Sequence, residues 1–126
     1  MMTIKSVLSR YETALNTNDI KTILDLYGSE PVFMPQHAPA LVGRDAVQAG
    51  YEQVFATLKL NVKFTIHEIE EVGNWAWVRT SSAGTTHILA AGIDVTEGNN
   101  ELFVFRNEQG NWKIHRYLFA TTQPRA

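Results

Sequence analysis

The apolar residues of this chain change their spacing near residue 60, and that change limits the folds open to it. Before it, Ile4, Val7, Leu8, Tyr11, Ala14 and Leu15 recur at three- and four-residue intervals. That is the stripe of an amphipathic helix, turning Tyr11 toward the core and ending near Thr17-Asn18-Asp19. Asp19 is suited to cap a second, short helix carrying Ile20, Ile23, Leu24 and Tyr27, with Gly28 placed for the left-handed position that ends a helix. Pro31 and Pro35 punctuate the stretch from Glu30, which reads as a short edge strand leading into a loop from Gln36 to Val42. From Arg44 the spacing is helical again, with Val47, Tyr51, Val54, Phe55 and Leu58 on one face and Arg44, Asp45, Gln48 and Glu52 on the other.

After Leu60 the period is two. Val62, Phe64 and Ile66 alternate with Lys63, Thr65 and His67, and the apolar phase then slips to Ile69 and Val72, the mark of a bulge. Gly73-Asn74 predicts a turn, Trp75 begins a long strand, and partner strands are expected around Glu101 to Arg106 and from Asn111 to Thr121, joined by a hairpin at Asn107 to Gly110. Between Gly84 and Asn100 the pattern is weak. Ile88 to Val95 is apolar without a period, and Glu97 to Asn100 reads as a turn. Helices followed by long alternating strands predict an α+β fold: a curved, mostly antiparallel sheet wrapped around three N-terminal helices, forming a cone with a central pocket.

A chain of 126 residues has the length of one domain, here 1–126, and can bury roughly two-thirds of its unfolded surface. With 44% hydrophobic and 19% charged residues it is too apolar for a disordered chain. A net charge of −2 offers no basic field for nucleic acid or an anionic membrane. The absence of cysteine removes disulfides and thiolate chemistry, and the four histidines show no zinc-site spacing, so neither metal nor cofactor is expected. No glycine-rich phosphate loop, nucleophile elbow or dinucleotide fingerprint occurs. Met1 to Arg10 lacks the apolar run of a secretion signal, and a cytoplasmic protein is expected.

The segments Arg10 to Leu15 with Asn18-Asp19-Ile20, Leu26-Tyr27 before Pro31-Val32-Phe33, Gly43 to Val47, Trp75 to Val78 and Gly110 to Ile114, in this order, resemble the NTF2-like (cystatin-like α+β) superfamily. Within it the chain is similar to the SnoaL-like, ketosteroid-isomerase-like small proteins; the superfamily includes isomerases, polyketide cyclases, dehydratases, limonene-epoxide hydrolases and association domains, and dimers are common among its members. By that resemblance the oxyanion tyrosine falls on Tyr11, its two supporting tyrosines on Tyr27 and Tyr51, and the second oxyanion donor, a carboxylic acid kept neutral by apolar surroundings, on Glu101. The general-base carboxylate would fall at Met34 or Pro35, neither of which takes a proton.

The residues themselves give candidate roles. Alternation with Phe103 and Phe105 aims Glu101 into an aromatic wall, where a neutral carboxyl could donate beside the Tyr11 hydroxyl; placed at a strand's start, it would instead keep its head in water. His37, beside the vacant base position, and His115, which shares a strand face with Tyr117 and Phe119, are the candidate proton carriers. Tyr11, Glu101, His115 and His37 are thus the candidate catalytic residues, and Tyr27, Tyr51, Phe55, Thr80, Ser82, Phe103, Tyr117 and Phe119 the expected ligand pocket. Trp75, Trp77 and Arg79 alternate with Ala76, Val78 and Thr80; the resemblance turns that smaller set toward the cavity, which implies that the two tryptophans and the arginine lie on the outer sheet face, where they predict a homodimer unless the 84–100 segment covers them. The expected partner is a small, largely apolar cyclic or carbonyl ligand, bound by an isomerase, cyclase or dehydratase working through an enolate; the alternative is a non-catalytic ligand-binding or association module.

Overall fold

The structure, a computed structural model, describes residues 2–123. Three helices, α1 (Ile4–Asn16), α2 (Ile20–Leu26) and α3 (Arg44–Thr57), lie against a sheet of β1 (Tyr27–Met34), β2 (Leu41–Val42), β3 (Leu58–Val72), β4 (Trp75–Ile88), β5 (Ile93–Glu108) and β6 (Asn111–Thr121). The six strands run in the order β2-β1-β6-β5-β4-β3 in an open mixed sheet, antiparallel except where β1 lies parallel to β6. The predicted α+β architecture is the one observed.

Local chemistry explains the helix boundaries. Thr3 caps α1 by exchanging hydrogen bonds with Ser6, and the Asp19 carboxylate accepts the Thr22 amide (3.1 Å) at the start of α2. Arg44 and Lys113 donate to the carbonyls of Leu24 (3.0 Å) and Asp25 (2.7 Å), satisfying groups that the end of α2 leaves open. Gly28 does not take the left-handed position foreseen for it. The chain leaves α2 directly into extended backbone at Tyr27, and Gly28 sits inside β1, where a side chain would run into Glu108.

The free edge of β3 is covered by side chains from α1. Asn16 donates to the Val62 carbonyl (2.8 Å) and accepts its amide (2.9 Å), and Glu12 accepts the Phe64 amide (2.7 Å). These bonds close an exposed strand edge and fix the height of α1, and so of Tyr11, above the sheet. At the other end, the Met2 carbonyl accepts the Trp112 amide (3.1 Å) and the Asn111 side chain accepts the Met2 amide (2.9 Å). The first described residue is thereby tied to β6.

Besides a register shift in β1 between Tyr27 and Val32, two bulges bend the antiparallel part of the sheet. The one foreseen between Ile66 and Ile69 is present, with His67 as the extra residue of β3. The second falls in β6, where Val104 pairs with Arg116 and Phe105 with Ile114, leaving His115 as the extra residue. The turn expected at Glu97 to Asn100 is instead regular strand: β4 and β5 pair without interruption from Trp75↔Arg106 to Ile88↔Ile93, and the hairpin turns at residues 89–92. The 84–100 segment therefore does not cover Trp75 and Trp77, which stay exposed while Ala76, Val78 and Thr80 between them are buried.

Gly84 lies opposite Val62, and an added Cβ there would collide with the Asn61 carbonyl and the Val62 backbone. Gly84→Ala is expected to lower stability by about 1–3 kcal/mol, read from the urea midpoint; an unchanged midpoint would contradict the close approach of the two strands.

Candidate functional site

Four rings stack across the inner face of the sheet. Phe103 on β5 lies over Tyr117 on β6 (centroids 4.2 Å, planes 5° apart), Tyr117 over Phe33 on β1 (5.4 Å, 4°), and Phe33 over Tyr51 on α3 (4.8 Å, 10°). Tyr11 meets Phe103, Tyr117 and Tyr51 edge-on at 5.6–6.4 Å. Such contacts contribute about 0.5–1.5 kcal/mol each beyond area burial. They also fix where the hydroxyl groups sit.

The hydroxyls form a chain. Tyr51 lies 2.6 Å from the Tyr11 hydroxyl and 2.7 Å from that of Tyr27. Three hydroxyl protons serve two bonds, so one proton remains. With Tyr27 donating to Tyr51 and Tyr51 to Tyr11, the remaining proton belongs to Tyr11, which lines a cavity with the Tyr117 hydroxyl within its reach. Burial pushes all three hydroxyls, and that of Tyr117, well above the ordinary tyrosine value of 10, so they stay neutral donors near neutral pH.

The cavity has a volume of about 170 Å³. Its helix side and β3 side are apolar, formed by Leu15, Val54, Leu58, Leu60, Val62 and Phe64; its aromatic floor is Tyr11, Tyr51, Phe33, Tyr117 and Phe119. The polar groups lie along β4 and β5, as Ser82, Thr86, Glu97, Asn99 and Glu101. Glu101 is buried, with 3% of its surface exposed, and pairs across the sheet with Thr80. Thr80 donates to one carboxyl oxygen (2.6 Å) and Ser82 to the other (2.5 Å). Burial raises the Glu101 pKa and outweighs those two hydroxyls, which pull it down.

The sequence-derived residues divide. Tyr11, Tyr51, Ser82, Glu101, Tyr117 and Phe119 line the cavity together. Tyr27, Thr80 and Phe103 stand behind the lining, touching it through Tyr51, Glu101 and Tyr117, and Phe55 packs beside Tyr51 (6.4 Å). The two histidines fall elsewhere. His37 is exposed in the loop after β1, with φ 61°. His115 does not share a face with Tyr117 and Phe119, because the bulge turns it outward against Trp75 (5.1 Å). There its Nδ1 is buried with no hydrogen-bond partner among the described residues, and burial with Arg116 and Arg106 nearby lowers its pKa.

Thr86, Glu97 and Asn99 were not foreseen. The alternation Phe105, Phe103, Glu101 continues unbroken to Asn99 and Glu97, but Gly98 and Asn100 between them read as turn residues.

The sequence matches the SnoaL-like domain over residues 8–115. The chain belongs to the SnoaL-like family. Among solved structures, this SnoaL-like chain is similar to a ketosteroid isomerase-like protein from Erwinia carotovora atroseptica, with 31% identity and a TM-score of 0.91 over 96% of this chain and 95% of that one. A candidate dehydratase of the NTF2-like family from Streptomyces avermitilis superposes with a TM-score of 0.81 at 15% identity, over 96% and 95% of the two chains. A candidate calcium/calmodulin-dependent protein kinase type II association domain from Thiobacillus denitrificans does so with 0.82 at 13% identity, over 98% of each chain. The last two share the fold. No curated protein matches the sequence.

The raised Glu101 pKa has a definite sign in stability. The folded state holds the proton above the ordinary 4.5, so the contribution is full below that pH and is lost as pH rises through the folded value. Between pH 4 and 8 the urea stability of wild type is expected to fall relative to Glu101→Gln; a difference that stays flat would show that Glu101 is not held protonated.

Proposed function

We propose that this SnoaL-like protein binds a small ring compound through a ligand oxygen that carries or develops negative charge, held by the Tyr11 hydroxyl beside a neutral Glu101. The observation that carries this reading is the hydroxyl chain from Tyr27 through Tyr51 to Tyr11, which ends at a largely apolar cavity lined also by Tyr117 and Glu101. A neutral donor in a low-dielectric site stabilises an oxyanion more than water-exposed donors do, and donors polarised in series strengthen one another. A cavity of about 170 Å³ resembles the roughly 150 Å³ that admits benzene, so a one- or two-ring ligand fits it. Similarity to a ketosteroid isomerase-like protein and to a candidate dehydratase supports enolate chemistry as the reaction class.

A second reading, ligand binding without turnover, draws on a different observation. By the resemblance the base position of ketosteroid isomerase would fall at Met34 or Pro35, while His37 is exposed and His115 lies on the opposite face of the sheet. No histidine lines the cavity.

Fluorescence-monitored binding of substituted naphthols of graded pKa tests the oxyanion site. Affinity is expected to rise as naphthol pKa falls. Tyr11→Phe should weaken binding by about 10- to 100-fold, and Tyr27→Phe by a few-fold although Tyr27 does not line the cavity. Failure of every naphthol to bind folded wild type would remove the oxyanion reading. Turnover of enolisable cyclic ketones then separates the enzyme from the binding protein.

The outer sheet face supports a homodimer. Trp75 (47% exposed), Trp77 (38%), Leu102 (42%) and Leu118 (45%) form a band across β4, β5 and β6, with Arg79 paired to Glu68 (2.6 Å) at its margin. Large exposed aromatics on a sheet face are characteristic of an interface core. Sedimentation of wild type is expected to give a dimer that Trp77→Glu converts to a monomer; a monomeric wild type would leave this face without the proposed partner.

A further inference from the structure

The cavity lining is electrically one-sided. Among the described residues it contains two carboxyl groups, Glu97 and Glu101, and no lysine, arginine or histidine. Glu101 is occupied by Thr80 and Ser82. Glu97 differs: among the described residues its carboxylate has neither an ion-pair nor a hydrogen-bond partner. Its neighbours explain why. Across β4 it faces Gly84, which has no side chain, and on the β6 side the last register pair is Asn99↔Thr121, with Thr122 donating its amide to the Gly98 carbonyl (2.8 Å) beside it. A half-buried carboxylate therefore lines a largely apolar cavity without a neutralising partner among the described residues. Such a group disfavours anionic ligands and leaves a cation as its natural complement.

Glu101, Asn99 and Glu97 occupy alternate positions of one strand, so the outer carboxylate lies about 14 Å along β5 from the inner one, measured between backbones. Hydrogen bonds at both ends leave space for a ring and a two- or three-atom tail. We propose that the ligand of this site is a small phenol or enolisable ring with a cationic amine on a short tail, its oxygen on Tyr11 and its ammonium on Glu97, with Asn99 between them. This rests on the oxyanion reading above and adds to it a second recognition point and a sign of charge.

Four probes share one ring and differ in the tail: phenol, 4-ethylphenol, tyramine and 3-(4-hydroxyphenyl)propanoate. Calorimetric titration of wild type at low salt is expected to show tyramine binding about tenfold tighter than the propanoate, with the ratio shrinking as salt is raised. In Glu97→Gln, an isosteric change at a half-exposed position, the ratio should fall close to one. The salt titration on wild type supplies the same answer without a variant. If phenol and 4-ethylphenol bind but the amine holds no advantage over the acid, this inference is overturned while the oxyanion site stands. If the ratio survives in Glu97→Gln, another group carries the preference and the assignment to Glu97 is wrong. If no phenol binds, both readings fall.

Discussion

The stack of Phe103, Tyr117, Phe33 and Tyr51 is the contact on which the rest of the site depends, because it joins β5, β6, β1 and α3 through nearly parallel rings. Rings in register leave little freedom for the strands that carry them to slide, since a shift of one residue would send each ring to the opposite face. The stack also decides where polarity is allowed. Tyr11 fits edge-on against it, and the hydroxyl groups of Tyr11, Tyr51 and Tyr27 meet at one place because their rings are already held. Hydrogen bonding here is a consequence of packing.

The two ends of the cavity illustrate opposite solutions to a buried acid. At the inner end, Glu101 accepts from Thr80 and Ser82 and burial favours its proton-bound form. At the outer end Glu97 has no such partner among the described residues, and it stays half-exposed, where water can solvate it.

The fold was largely legible because its apolar residues obey two clean periods. The α1 stripe, the Asp19 cap and the phase slip after Ile66 each left a trace in side-chain type, and each reappears in the structure. The inner half of the site was legible as well, through Tyr11, Tyr51 and Glu101. What escaped has two physical causes. The β6 bulge is silent in the sequence: His115, Tyr117 and Phe119 keep an apparent alternation, although the extra residue reverses it and carries His115 to the outer face. Glu97 to Asn100 was misread because strand propensity reflects packing against neighbours, and residues that face a cavity or a turn-like glycine have few neighbours to satisfy. The polar positions that spoil the strand pattern are those that line the pocket.

The tie between the two ends of the chain has a consequence for how the molecule comes to exist. β1 finds its inner neighbour only in β6, and Met2 is anchored by Asn111 and Trp112, more than a hundred residues further on. Helices of 13 and seven residues do not persist alone in water, and contacts at such separation form slowly. During synthesis α1 can settle against α2 and β3, but the Met2 anchor and the inner edge of β1 wait, unpaired, until β6 leaves the ribosome. A nascent chain stalled before Asn111 would present that open strand edge to chaperones in place of a finished sheet.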